Sequence, residues 1–147
     1  MFQHILVPID GSDQSTRALD AAVEIAGRFS GAITVLCVFR HHSPLESSLS
    51  MVRPSGKVAT PDEALKAYAK ELVATAKARA LAAGATTVEA FAKRGHPARQ
   101  IVAFAEEHDC DGIVMGTRGL GDFGGFLLGS VAHKVSSMAK VTCVLVK

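Results

Sequence analysis

The sequence predicts a single α/β layer sandwich, an open parallel sheet of about five strands with helices covering both faces. Two observations predict it. Short apolar runs alternate along the whole chain with longer segments whose apolar residues recur at helical spacing. The short runs are apolar at successive positions rather than at every second one, the pattern of strands buried between two layers of helix. No internal repeat, linker or change of composition divides the chain, so residues 1–147 read as one domain.

Residues 4–9 (H-I-L-V-P-I) read as a buried strand. Residues 13–30 follow as a helix with Ala18, Ala22, Ile25 and Phe29 on one face, ending before Gly31. Ala32–Phe39 is a second strand, β-branched and apolar. Residues 40–59, rich in His, Ser, Pro and Gly, show no period and read as a mobile surface loop. Thr60-Pro61-Asp62-Glu63 is a strong helix start, with Thr60 as N-cap, Pro61 in the first turn and Glu63 placed to complete a capping box. That helix carries Leu65, Tyr68, Leu72, Ala76 and Ala80 inward and stops near Gly84. A third strand spans 86–93. A third helix spans 97–108, with Ile101, Phe104 and Ala105 inward. A short fourth strand covers 112–115, a fourth helix Ser130–Met138, and a last strand 141–146.

Composition narrows the function classes. At 147 residues the chain can bury one sizeable core. Apolar residues make up 48% and charged residues 20%, which excludes a disordered acidic tail. No uninterrupted apolar run exceeds five residues, against the roughly 20 that a membrane span requires. The first residues lack the layout of a secretory signal, and Asp10 interrupts the one hydrophobic stretch there. Three cysteines (Cys37, Cys110, Cys143) share no CxxC spacing, which argues for a reducing, cytoplasmic setting and against a disulfide scaffold or structural zinc. A formal net charge of +2 is too small an excess for a general nucleic-acid binder.

Six of the 13 glycines fall between Gly116 and Gly129, which points to a backbone-lined loop. Ligands of open α/β sheets bind beyond the carboxyl ends of strands, where the strand order reverses. Two segments carry unusual chemistry at such ends. Pro8-Ile9-Asp10-Gly11-Ser12 joins the first strand to its helix, and Met115-Gly116-Thr117-Arg118-Gly119 leaves the fourth. Gly116, Gly119, Gly129 and Ser130 are spaced so that backbone amides can turn toward an anion, ending at a helix N-terminus that favours a phosphate. This is neither a Walker loop nor G-x-G-x-x-G after the first strand. Asp10 reads either as a ligand contact or as an acceptor for amides of its own turn. Ser130 reads as a phosphate donor, as the helix N-cap, or as both. Met115 is core or pocket, and Arg118 a solvated side chain or a phosphate contact. His41 and His42 lack metal-ligand spacing, His96 and His133 cap or solvate their helices, and Cys37 and Cys143 read as inert buried thiols. No metal site is expected, and no nucleophile–base pair supports catalysis.

Ile5 to Ser12, Gly95-His96-Pro97, and Met115 to Gly119 through Gly129-Ser130-Val131 resemble the universal stress protein family (UspA-like) over nearly the whole chain, the 40–59 loop excepted. The resemblance implies a Rossmann-like sheet with strand order 3-2-1-4-5, and the branch of the family that binds ATP. It places Pro8, Ile9, Asp10 and Thr117 in the ATP-binding set. It implies that Val38 contacts adenine through its backbone, and that Met115 lines the base pocket. Gly116, Arg118 and Gly119 then approach the ribose and phosphates, and Gly129, Ser130 and Val131 cradle the phosphates. One departure stands out: residues 120–128 hold no Lys or Arg and one acid, Asp122. Charge neutralisation is therefore expected from Arg118, backbone amides and any Mg²⁺ accompanying ATP. The function expected is a nucleotide-responsive stress or regulatory protein of the cytoplasm, a homodimer through the last strand, with no nucleic-acid or membrane partner. The alternatives are a nucleotide-free interaction module of the same fold and a slow ATP-hydrolysing enzyme.

Overall fold

A computed structural model of the chain describes residues 1–40, 51–52, 58–120 and 128–147. In chain order its elements are β1 (His4–Pro8), α1 (Asp13–Phe29), β2 (Ala32–Phe39), β3 (Met51–Val52), β4 (Val58–Ala59), α2 (Pro61–Ala82), β5 (Val88–Arg94), α3 (Pro97–Glu107), β6 (Gly112–Gly116), α4 (Ser130–Met138) and β7 (Thr142–Val146). Five strands form one sheet in the order β5-β2-β1-β6-β7, and every pairing in it is parallel. Counting only the strands of that sheet, the order is 3-2-1-4-5.

Alternation along the strands sends successive side chains to opposite helix layers. Ile5, Val7, Val35 and Val114 pack with Leu19 and Val23 of α1 and Val73 of α2. Leu6, Leu36, Ile113 and Met115 pack with Ile101 and Phe104 of α3 and Val135 of α4. Both layers are apolar, so the inner strands β1, β2 and β6 are apolar at almost every position, whereas edge strand β5 carries Glu89, Lys93 and Arg94. That is why the sequence shows unbroken runs.

The helix ends follow local chemistry. Ser12 caps α1, its side chain accepting from Ser15 N, and Ser30 closes the helix in the left-handed region at φ 52°. Thr60 and Glu63 form the expected capping box at α2, with Pro61 in its first turn. Asp111 anchors the start of β1: its carboxylate accepts from Gln3 N at 2.9 Å and His4 N at 3.0 Å. Among the described residues, no helix is long and apolar enough to cross a membrane.

Several expectations need correction. The 40–59 segment is not wholly irregular, since β3 and β4 pair within it as a short antiparallel ladder. Residues 41–50 and 53–57, with His41 and His42, lie outside the described residues, as do 121–127 with Asp122. Tyr68 is 54% exposed, because the buried row of α2 is Ala69, Val73, Ala76 and Ala80. Small side chains let α2 sit close to the sheet, and the longer Leu65 and Leu72 flank that contact half-buried. Phe29 is exposed too, packing on Phe2 with ring centroids 5.7 Å apart. Cys143 is half-buried rather than buried, in contrast with Cys37 and Cys110, and all three thiols are free.

Candidate functional site

The chain runs from β1 toward β2 and β5 in one direction and toward β6 and β7 in the other, so the order reverses between β1 and β6. These two strands pair only at Ile5–Gly112 and Leu6–Ile113, and no ladder joins their carboxyl-terminal halves. A cavity of about 340 Å³ opens there. Its wall includes all twelve residues expected at a site: Pro8, Ile9, Asp10, Val38, Met115, Gly116, Thr117, Arg118, Gly119, Gly129, Ser130 and Val131. The apolar end is built by Leu36 and Val38 of β2, Pro97 and Ile101 of α3, and Met115 of β6. The polar end is built by the loop leaving β6 and the first turn of α4.

The hydrogen bonds of the β6 loop decide which of its amides can meet a ligand. Thr117 N donates to Val146 O at 2.8 Å, and Gly129 N donates to Thr117 O at 2.6 Å. Arg118 N donates to Gln14 Oε1 at 2.7 Å, and the same oxygen accepts from Thr117 Oγ1 at 3.1 Å. Leu120 N donates to Asp10 Oδ2 at 3.1 Å. These four amides already have partners. The N-terminus of α4 is different. Gly129 occupies the N-cap position with no side-chain cap bond, and the first turn-closing bond is His133 N to Gly129 O. The N–H groups of Ser130, Val131 and Ala132 precede it and belong to the unpaired set of a helix start. Ser130 is therefore not the N-cap; it is the first helical residue, and exposed.

Asp10 is an acceptor for an amide of its own turn, one of its two readings, and for an amide of the β6 loop. Oδ1 accepts from Ser12 N at 2.9 Å within its own turn, while Oδ2 reaches across to the β6 loop. Gly11 makes that turn possible at φ +88°, a conformation that side chains resist. Gly116 has a structural reason beyond any ligand. A Cβ there would lie 3.0 Å from Gln14 Cβ and 3.1 Å from Gln14 C, so its bareness admits α1. A Cβ on Gly119 would lie 2.5 Å from Asp10 Oδ2.

Two arginines, Arg40 and Arg118, and one acidic residue, Asp10, are among the described residues that line the cavity. Among the described residues neither arginine is ion-paired; the side-chain pairs are Arg79–Asp20, Arg94–Asp62 and Lys140–Glu106. The local balance favours an anion. Cys37 lies behind the site, and burial, with the Asp10 charge adding to it, pushes its thiol up to about 11. It is not a nucleophile at neutral pH. No group of three or more His, Cys, Asp or Glu among the described residues could hold a metal. His96 and His133 are both exposed; His96 stands at the N-cap of α3 without a side-chain cap bond.

Sequence reasoning missed Gln14 and Arg40. Nothing local marks Gln14, whose partners lie 103 and 104 positions away. Arg40 carried a readable signal, since it continues the alternate row of Leu36 and Val38.

The profile of the Universal stress protein family matches residues 1–147. Universal stress protein YxiE of Bacillus subtilis is 36% identical over a 154-residue alignment that covers 100% of both chains. The solved universal stress protein UspA from Lactobacillus plantarum superposes with a TM-score of 0.82 at 25% identity, covering 99% of this chain and 98% of that one. A universal stress protein in complex with cAMP has a TM-score of 0.70 at 28% identity, covering 98% and 95%. The universal stress protein from Archaeoglobus fulgidus in complex with dAMP has a TM-score of 0.67 at 25% identity, covering 100% of each chain.

Proposed function

The chain belongs to the universal stress protein family, and from that premise we propose that it is a nucleotide-responsive member whose cavity binds an adenine nucleotide, ATP among them. The observation that carries this reading is a cavity that joins the uncapped N-terminus of α4 and Arg118 at one end to an apolar end at the other, lined by two arginines that have no ion-pair partner among the described residues. The two similar structures in complex with cAMP and dAMP support the same ligand class.

In this reading the base enters the apolar end between Val38, Ile101 and Met115, with the backbone of Val38 beside it. The phosphates meet the N–H groups of Ser130 and Val131, the Ser130 hydroxyl and the Arg118 side chain. Positive helix dipole and guanidinium act on the same charge. Asp10 holds the β6 loop through one lone pair on Oδ2 and retains others for ribose hydroxyls. Among the described residues Asp10 is the one carboxylate residue lining the cavity, and any Mg²⁺ accompanying ATP would supply charge neutralisation at the phosphates. Among the described residues no histidine lines the cavity, and both oxygens of Asp10 accept amide bonds. A cavity so lined binds and reports occupancy; the described residues position no base for hydrolysis. The protein acts as a cytoplasmic homodimer through β7.

Mass spectrometry of ligand released from the purified protein, with thermal melts in added ATP and AMP, tests the reading. At 100 times Kd, binding adds about 2.7 kcal/mol, which raises Tm by roughly 5–10 °C in a chain of this size. No released adenine nucleotide and no shift would leave a nucleotide-free interaction module as the function.

A further inference from the structure

The wall of the cavity contains a second cation at the end away from the phosphate-binding turn. Arg40 follows β2 directly. Leu36 and Val38 of that strand pack on the α3 and α4 side, whereas Val35, Cys37 and Phe39 pack on the α1 and α2 side. Alternation therefore puts Arg40 in the row that forms the apolar end, and Arg40 lines the cavity. The neighbouring cations of β5 are engaged elsewhere: Arg94 pairs with Asp62 at 3.3 Å, and Lys93 lies 5.8 Å from the Phe104 ring centroid. Arg40 has no ion-pair partner among the described residues.

The position of Arg40 relative to Arg118 assigns the two cations different work. β2 and β6 flank β1, so their ends stand two strand spacings apart, about 10 Å. That separation suits a nucleoside with its base at β2 and its 5′ phosphate at β6 and α4. A planar ring resting on Leu36, Val38, Ile101 and Met115 has one face on apolar side chains. Its outer face meets the planar, weakly hydrated guanidinium at the rim.

Resting on the nucleotide reading above, we infer that Arg40 is a specificity-determining residue that closes the open face of the nucleobase by stacking, while Arg118 serves the phosphate. Arg40 recognises a flat aromatic base regardless of how many phosphates follow it. The ligand class is thereby narrowed to nucleosides and nucleotides with a large base, and excludes sugar phosphates.

Calorimetric titration of adenosine and AMP into the wild type, Arg40→Met and Arg118→Met tests this. Methionine keeps a long apolar stem and removes the charged plane. Arg40→Met is expected to weaken adenosine and AMP by the same factor, about 3–10-fold, the range for a cation on a partly exposed ring. Arg118→Met is expected to weaken AMP and leave adenosine nearly unchanged. A loss in Arg40→Met confined to AMP would make Arg40 a phosphate contact and overturn the inference. Unchanged affinity for both ligands would overturn it as well, and the nucleotide reading would stand. A wild type that binds neither ligand removes the nucleotide reading and this inference together. Arg40 is exposed, and matching melting curves for the variant and wild type would confirm that the fold is intact.

Discussion

Asp10 joins two segments that the chain keeps 110 positions apart. Its carboxylate takes Ser12 N on one oxygen and Leu120 N on the other, so the β1–α1 turn and the β6 loop share one acceptor group. Asp10→Ala leaves both amides without that partner. The expected cost is about 1–3 kcal/mol of stability, read as a lower urea midpoint, with weaker nucleotide binding beside it. Asp10→Asn keeps one acceptor oxygen and is expected to lose less; an unchanged midpoint in Asp10→Ala would show that the two bonds carry no net stability. The place of Asp10 was legible, because a carboxylate straight after an apolar strand must sit at the rim of the sheet. Its second bond was not. Contacts such as Leu120 N to Asp10 and Arg118 N to Gln14 are made by tertiary packing, and a single sequence holds no period or spacing for them. Glycine positions were legible, but one cause was not: Gly116 is bare for α1 to approach, whatever else it admits.

At the scale of elements, the N-terminus of α4, which lines the cavity and has no side-chain cap, is the turn proposed for phosphate. Ser130→Asp offers a direct test through two effects of opposite sign. A carboxylate in the first turn interacts well with the helix dipole and should raise stability of the ligand-free protein by about 0.3–1 kcal/mol. The same charge occupies the place proposed for phosphate, and like-charge repulsion should weaken AMP by about tenfold or more. A variant that is stabilised and still binds AMP normally would remove this turn from the site. Element positions were read well from the sequence, since capping residues such as Thr60 and Glu63 act locally. The faces of helices were read less well. In α2 the predicted inward row was Leu65, Tyr68, Leu72, Ala76 and Ala80; Ala76 and Ala80 are buried, but in the first half of the helix Ala69 and Val73 are buried in place of the larger three. Helical spacing alone allows either row, and what decides is how closely the helix can approach the sheet. Large side chains hold the two apart, whereas alanine lets them meet.

Over the whole molecule, alternation of apolar runs and amphipathic segments was enough to predict a parallel layered sheet, because each crossover must return the chain to the same end. Strand order was not contained in that pattern and came from family resemblance alone. Two properties of the assembled sheet can be measured. Asp111 ties the start of β1 to the residue before β6. Burial pushes its carboxyl up, but the amides of Gln3 and His4 and the N-terminal ammonium bring it net below the usual range. A lowered folded-state value means its contribution is present above the unfolded value, about 3.9, and fades as pH falls through the folded value. The urea midpoint should therefore drop on acidification from pH 5 toward 3, and drop less in Asp111→Asn. At neutral pH that variant should lose about 1 kcal/mol, discounted because the side chain is 37% exposed. A wild-type midpoint flat over that range would refute the linkage. The second property concerns the free edge at β7. Thr117 N donates to Val146 O, which turns the polar groups of Val146, and by alternation those of Val144, toward β6. The N–H and C=O groups of Cys143 and Leu145 then face outward along an uncharged, β-branched edge that invites a partner strand. A second copy related by a two-fold axis supplies an antiparallel one. Light scattering at micromolar concentration should give twice 15.4 kDa. Leu145→Pro removes an outward donor and should give the monomer, whereas a proline at Val144 would break the ladder to β6 and unfold the edge instead. A wild-type mass near 15.4 kDa excludes the dimer. A folded Leu145→Pro chain that remains dimeric moves the interface away from this strand.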